Sequence, residues 1–194
     1  MTSRIGLFFG TFNPVHIGHL ILANHLLEYS DLHEIWMVVT PHNPHKKKSS
    51  LLDNNHRYDM VWQMCEDYPR IRPSNVEFDL PQPNYTVKTL AVLEERYPEK
   101  DFVLIMGEDN LNNLHKWKNY EVILDRFHIL VYPRFSVDSV DPALEEHDKI
   151  SRIDAPRIEI SSTFIRNAIK QGKDVRPLLP LKVWRYIDQM NFYR

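Results

Sequence analysis

The 194-residue chain holds a single cysteine, Cys65, which excludes an internal disulfide framework and suits a reducing, cytoplasmic setting. Charge of one sign is scarce as well: 24 basic against 26 acidic residues give a formal net charge of −2. No global field would draw such a chain to nucleic acid or to an anionic membrane. Long apolar runs are missing too. Stretches such as Phe102–Met106 are far too short to cross a bilayer, and Met1–Arg4 is not followed by a signal-type apolar region. The expectation is a soluble protein with neither nucleic acid nor membrane as partner, and with room for a homo-oligomer. What is present is ordinary for a globular fold: 43% hydrophobic and 26% charged residues, in a length that suits one domain over 1–194.

Runs rich in β-branched and aromatic residues predict strands at Ile5–Phe9, Glu34–Thr40, Arg70–Phe78, Phe102–Met106 and Phe127–Tyr132. Helical patterns lie between them at Ile17–Tyr29, Asp53–Asp67, Thr86–Tyr97 and, less regularly, Asp109–Leu124. This alternation predicts an α/β fold, a Rossmann-like doubly wound parallel sheet with strand order 3-2-1-4-5. Its ligand crevice would open where the order reverses, beside Gly10 and Gly107. Pro133–Pro156 is proline-rich, acidic and aperiodic, and reads as a surface excursion. Beyond it come a short strand at Ile158–Ile160, a helix capped by Ser161 or Ser162 and stopped by Gly172, and a last helix over Leu181–Met190.

The segment Gly10-Thr11-Phe12-Asn13-Pro14-Val15-His16-Ile17-Gly18-His19 follows the first strand directly. Asn13 before Pro14 reads as a helix cap followed by a first helical residue. His16 and His19 would then share one face of the first turn. A strand, a tight turn and a helix N-terminus present free N–H groups and a positive dipole end, which makes a phosphate site. Two imidazoles add donors there. The competing readings are solvated capping histidines, or a zinc site completed by His25. A closed zinc site usually wants four ligands including Cys, and only Cys65 exists. The preceding strand and turn favour phosphate.

Ser161-Ser162-Thr163-Phe164-Ile165-Arg166 is a second helix start, with hydroxyls and a guanidinium able to hold phosphate oxygens bidentately. Gly107-Glu108-Asp109 ends the fourth strand; Asp109 is either a helix cap or an acceptor for ribose hydroxyls. Trp117 is either a buried structural residue or a stacking surface for a heteroaromatic ring. Pro44-His45-Lys46-Lys47-Lys48 falls on the crevice side, as a phosphate contact or a solvated charge run. Tyr85-Thr86-Val87-Lys88-Thr89-Leu90 opens another helix that could offer backbone N–H groups to an anion.

Taken together these motifs resemble the HxGH nucleotidyltransferase superfamily. Within it they resemble the bacterial nicotinate mononucleotide adenylyltransferase family: GTFNPVHIGHL, NPHK, YTVKTL, GEDNLNNLHKW, ISSTFIR and a YI-x-x-M-N-F-Y ending. The resemblance implies that Gly10, Thr11, Phe12, His16, His19, Ser162, Thr163 and Arg166 line an ATP site. It implies that Gly107 and Asp109 meet nucleoside groups. Trp117 would stack on the pyridine ring of the acceptor, with the N–H groups of Thr86 and Lys118 near its carboxylate and Lys46 near phosphate. His16, His19 and Arg166 would be catalytic, ATP and nicotinate mononucleotide the substrates, and Mg²⁺ would come bound to the phosphates without protein ligands. Phe9, Glu108 and Lys88 depart from the family pattern, which has glycine, a smaller residue and aspartate there. The competing readings are a related transferase, such as phosphopantetheine adenylyltransferase or a cytidylyltransferase, and a silent nucleotide-binding module.

Overall fold

A computed structural model of the chain describes residues 3–41, 51–135, 144 and 146–194. Its centre is a parallel sheet in the order β3-β2-β1-β4-β5-β6. The strands are β1 (Ser3–Gly10), β2 (Glu34–Val39), β3 (Ile71–Ser74), β4 (Lys100–Gly107), β5 (His128–Tyr132) and β6 (Ile150–Arg152). The helices are α1 (Ile17–Glu28), α2 (Asn54–Cys65), α3 (Thr86–Arg96), α4 (Glu108–Leu111), α5 (Tyr120–Arg126), α6 (Ser162–Lys170) and α7 (Leu181–Gln189). The doubly wound order expected from the alternation is therefore present, extended by one edge strand.

The strands are apolar on both faces because helices cover both. Along β4, Val103 and Ile105 join a core with α1, α2, α6 and α7, whereas Phe102, Leu104 and Met106 join a second core with α3 and α5. Pairing of Phe8 with Ile105 sets Gly10 and Gly107 level at the strand ends, where the order reverses. Among the described residues no helix is long and apolar enough to cross a membrane.

Five sequence expectations need correction. The helix after β1 begins at Ile17, where the helical pattern puts it, but its N-cap is His16 and not Asn13, and Pro14 is not its first residue. The Asp109–Leu124 pattern breaks into α4, a 3-10 turn at Leu114–Lys116 and α5, because Trp117 is extended and Asn119 is left-handed at φ 52°. Ile158–Ile160 forms no strand: its isoleucines pack on the core without a ladder partner. The strand lies instead at Ile150–Arg152, inside the supposed excursion, a half-exposed edge with no apolar run to reveal it. The third strand also stops at Ser74, and a turn takes the residues up to Asp79.

Candidate active site

A cleft of about 1030 Å³ opens over the ends of β1 and β4. Ligand pockets commonly measure roughly 300–1,000 Å³, so this one has room for a dinucleotide-sized occupant. Gly10 is required by a close approach: a Cβ there would lie 2.7 Å from the Phe12 ring. Phe12 itself adopts φ 44°, a left-handed conformation rare outside glycine, and is held there by burial. At Gly107 a Cβ would lie 2.5 Å from Asp109 Oδ1, so any side chain would displace that carboxylate.

His16 and His19 meet as expected, but as N-cap and third residue of α1. Their rings stack at 3.7 Å, and the His16 N–H donates to His19 Nδ1 at 3.2 Å. Accepting at Nδ1 leaves the His19 proton on Nε2, the remaining ring nitrogen. Phe8 and Phe12 pack edge-on against the His19 ring and fix its orientation. His16 is buried, and its Nδ1 makes no hydrogen bond. Burial, reinforced by the Arg134 guanidinium, lowers its pKa from 6.5 to about 4. His16 is thus neutral at physiological pH.

That shift has a consequence for stability. The unfolded chain takes up a proton on His16 near pH 6.5, whereas the folded chain resists it down to about 4. The contribution is complete above pH 6.5 and is lost as pH falls through that window, by up to about 3 kcal/mol. Denaturant unfolding at pH 7 and pH 4.5 checks this. The wild type should lose more stability between the two than His16→Asn; equal losses would contradict it.

The second helix start is tied to the first loop. Ser161 caps α6 by accepting from the Phe164 N–H at 3.1 Å. Ser162 Oγ donates to the Pro14 carbonyl at 2.8 Å, and Arg166 Nη1 donates to the Asn13 carbonyl at 2.8 Å. Arg166 Nη2 also donates to Thr163 Oγ1 at 3.3 Å. Two segments about 150 positions apart are thereby locked onto one wall. The Asn13 side chain, which the sequence suggested as a cap, instead accepts from the Leu52 N–H and from the Tyr193 hydroxyl.

Asp109 lies on the cleft wall with Oδ1 buried and 3.5 Å from Arg134 Nε. Thr11, Thr86, Trp117 and Lys118 also line the cleft. Trp117 is half-buried: it packs on the second core while presenting a surface to the cleft, so both of its readings have a physical basis. The Lys118 ammonium lies 4.5 Å from the Tyr85 ring centroid. Tyr85 caps α3 with no side-chain bond, leaving the first N–H groups of that helix without intrahelical partners. Lys46 lies outside the described residues.

Three residues escaped sequence reasoning. Arg57 is fully buried and donates to the carbonyls of Leu52, Thr11, Thr40 and Pro41 and to Asn54 Oδ1. It had a signal: Arg57, Met60, Val61 and Met64 share the buried stripe of α2, where a charge is out of place. Arg134 enters the cleft just beyond β5, with its N–H bonded to Glu108 Oε2. Glu77, also on the cleft wall, had no signal.

A parallel sheet with two helix starts converging on its switch point defines a nucleotide-binding α/β class. The cytidylyltransferase-like family model accordingly matches residues 7–168. A protein of Christiangramia forsetii, named "Probable nicotinate-nucleotide adenylyltransferase", is 64% identical over 194 residues and all of both chains. One of the same name from Flavobacterium johnsoniae is 62% identical, covering 98% of this chain and 99% of its own. The chain belongs to the nicotinate-nucleotide adenylyltransferase family. Its fold matches the Plasmodium falciparum nicotinic acid mononucleotide adenylyltransferase complexed with NaAD at TM-score 0.80, with 20% identity and 98% and 97% of the two chains covered.

Proposed function

We propose that this chain transfers the adenylyl group of ATP to nicotinate mononucleotide, giving nicotinate adenine dinucleotide and pyrophosphate. The observation that carries the reading is the joining of the His16–His19 turn to the α6 start through Ser162 and Arg166. Full-length identity to relatives of that name supports it.

The nucleophile is the acceptor's own phosphate, whose second pKa of about 6 leaves it largely dianionic at neutral pH. No general base is needed. One of its oxygens bonds to the α-phosphorus of ATP while the bond to the β-phosphate bridging oxygen breaks, and that electron pair leaves with pyrophosphate. The chain's task is alignment and charge stabilisation. His19 Nε2–H and Arg166 would donate to phosphate oxygens, with neutral His16 stacked on His19. Gly10, Thr11 and Phe12 shape the phosphate turn, while Thr163 and the α6 N-terminus add donors. Ser162 acts chiefly through its bond to Pro14. Asp109 and Gly107 serve the adenosine ribose, and Trp117, Thr86, Lys118 and Lys46 serve the acceptor.

Among the described residues, no group of three or more His, Cys, Asp or Glu is placed to hold a metal ion. A Mg²⁺ carried by phosphate oxygens and water would neutralise charge on the triphosphate.

Acceptor phosphate labelled with heavy oxygen tests the assignment of the nucleophile. The label should appear in the bridge of the dinucleotide; label in pyrophosphate would contradict it. A second expectation concerns Trp117→Ala. Loss of stacking should weaken acceptor binding by roughly 1–3 kcal/mol, seen mainly in KM, while the KM for ATP changes little. A large fall in Tm with unchanged acceptor KM would make Trp117 purely structural.

A further inference from the structure

Glu77 lies in the turn after β3, on the wall of the cleft, with 2% of its surface exposed. Burying a carboxyl is costly, and an apolar side chain would fill such a place at lower cost. Its bonds show where it acts. Oε1 accepts from Thr89 Oγ1 at 2.7 Å, on the first turn of α3. Its backbone carbonyl accepts from Asn84 Nδ2 at 2.9 Å, in the segment leading into α3. Oε2 is buried without a hydrogen-bond partner, as is Asn84 Oδ1.

These bonds fasten both sides of Tyr85 and Thr86 to one turn. Asn84 holds the chain just before them and Thr89 holds it just after. Tyr85 lacks a side-chain cap, so this frame helps to aim the first N–H groups of α3. Thr86 and Asn84 both line the cleft.

We infer that Glu77 is a positioning residue for the acceptor, fixing the start of α3 so that its N–H groups meet the acceptor's carboxylate. The inference rests on the acceptor assignment proposed above. Glu77 itself is part of the cleft wall, with Oε2 buried. Burial raises its pKa, against the opposing effect of the Thr89, Thr40 and Asn84 groups. Glutamine has the same shape and an amide oxygen that can accept from Thr89, so it keeps the frame.

Steady-state kinetics of Glu77→Gln, Glu77→Ala and Thr89→Val, with Tm for each, test this. Misplacing a binding group by about 1 Å can cost up to 10²-fold, so Glu77→Ala should raise acceptor KM about 10- to 100-fold. The KM for ATP should hardly move, and Glu77→Gln should restore acceptor KM close to wild type. Thr89→Val removes only one hydroxyl donor and should shift acceptor KM in the same direction; it carries the test where Glu77→Ala does not fold. Parallel rises in both KM values, or acceptor KM unchanged in Thr89→Val and Glu77→Ala, would overturn the inference. So would a glutamine variant as impaired as alanine. A wild type that does not use nicotinate mononucleotide is a separate result, and would overturn the acceptor assignment itself.

Discussion

Replacing His19 by alanine is expected to lower kcat by about 10²–10³-fold while the fold persists, the size of effect seen when an oxyanion donor is removed. Charge grows on phosphate oxygens as the pyrophosphate bond breaks, and a donor aimed there acts more strongly in the transition state than on bound substrate. On the proposed reading His19 is such a donor. Its Nδ1 accepts from the His16 N–H, which places the ring proton on Nε2, and Phe8 and Phe12 hold the ring in place. Because catalysis needs no proton transfer from this group, the loss should fall on kcat with ATP KM little affected. A folded variant with near-normal kcat would assign His19 to helix capping.

Arg57→Ala is expected to have the largest effect on stability, at least about 3 kcal/mol, because it strips the donor from several buried carbonyls at once. The guanidinium joins Thr11 in the phosphate turn to Thr40 and Pro41 after β2, and both to the start of α2. Burial pulls its pKa from 12.5 down to about 10, against the raising effects of Tyr193 and Asp53, so it remains charged at neutral pH. Arg57→Lys keeps the charge but not the five-donor fork and should fall between the two. Denaturant unfolding measures all three. An alanine variant within about 1 kcal/mol of wild type would remove Arg57 from the framework of the site.

The strands of the sheet interior were legible because both their faces are buried: Ile5–Phe9 and Phe102–Met106 read as continuous apolar runs and form β1 and β4. β6 was not legible, since a three-residue edge strand buries little and carries Ser151 and Arg152 outward. The cap of the helix after β1 was misread for a different reason. Asn13 and Pro14 have cap-like chemistry, yet Asn13 is engaged by Leu52 and Tyr193, contacts that no local pattern shows. The convergence of the two phosphate motifs was visible as residue types. What joins them, the bonds of Ser162 and Arg166 to carbonyls of the first loop, is tertiary and appears only in the fold. Arg57 lies between these cases, since its place on an apolar helical stripe was readable but its five partners were not. Glu77 gave no sign, because its role depends on Thr89 and Asn84 closing around it.

Pyrophosphate release by the purified protein, with ATP, Mg²⁺ and one acceptor at a time, tests the central claim most directly. Nicotinate mononucleotide should give rapid release with one deamido dinucleotide formed for each pyrophosphate. Release with phosphopantetheine, or from CTP with another phosphorylated acceptor, and none with nicotinate mononucleotide, would contradict the account. No release with any acceptor would contradict it equally, and would point to a nucleotide-binding module that has the cleft without the chemistry.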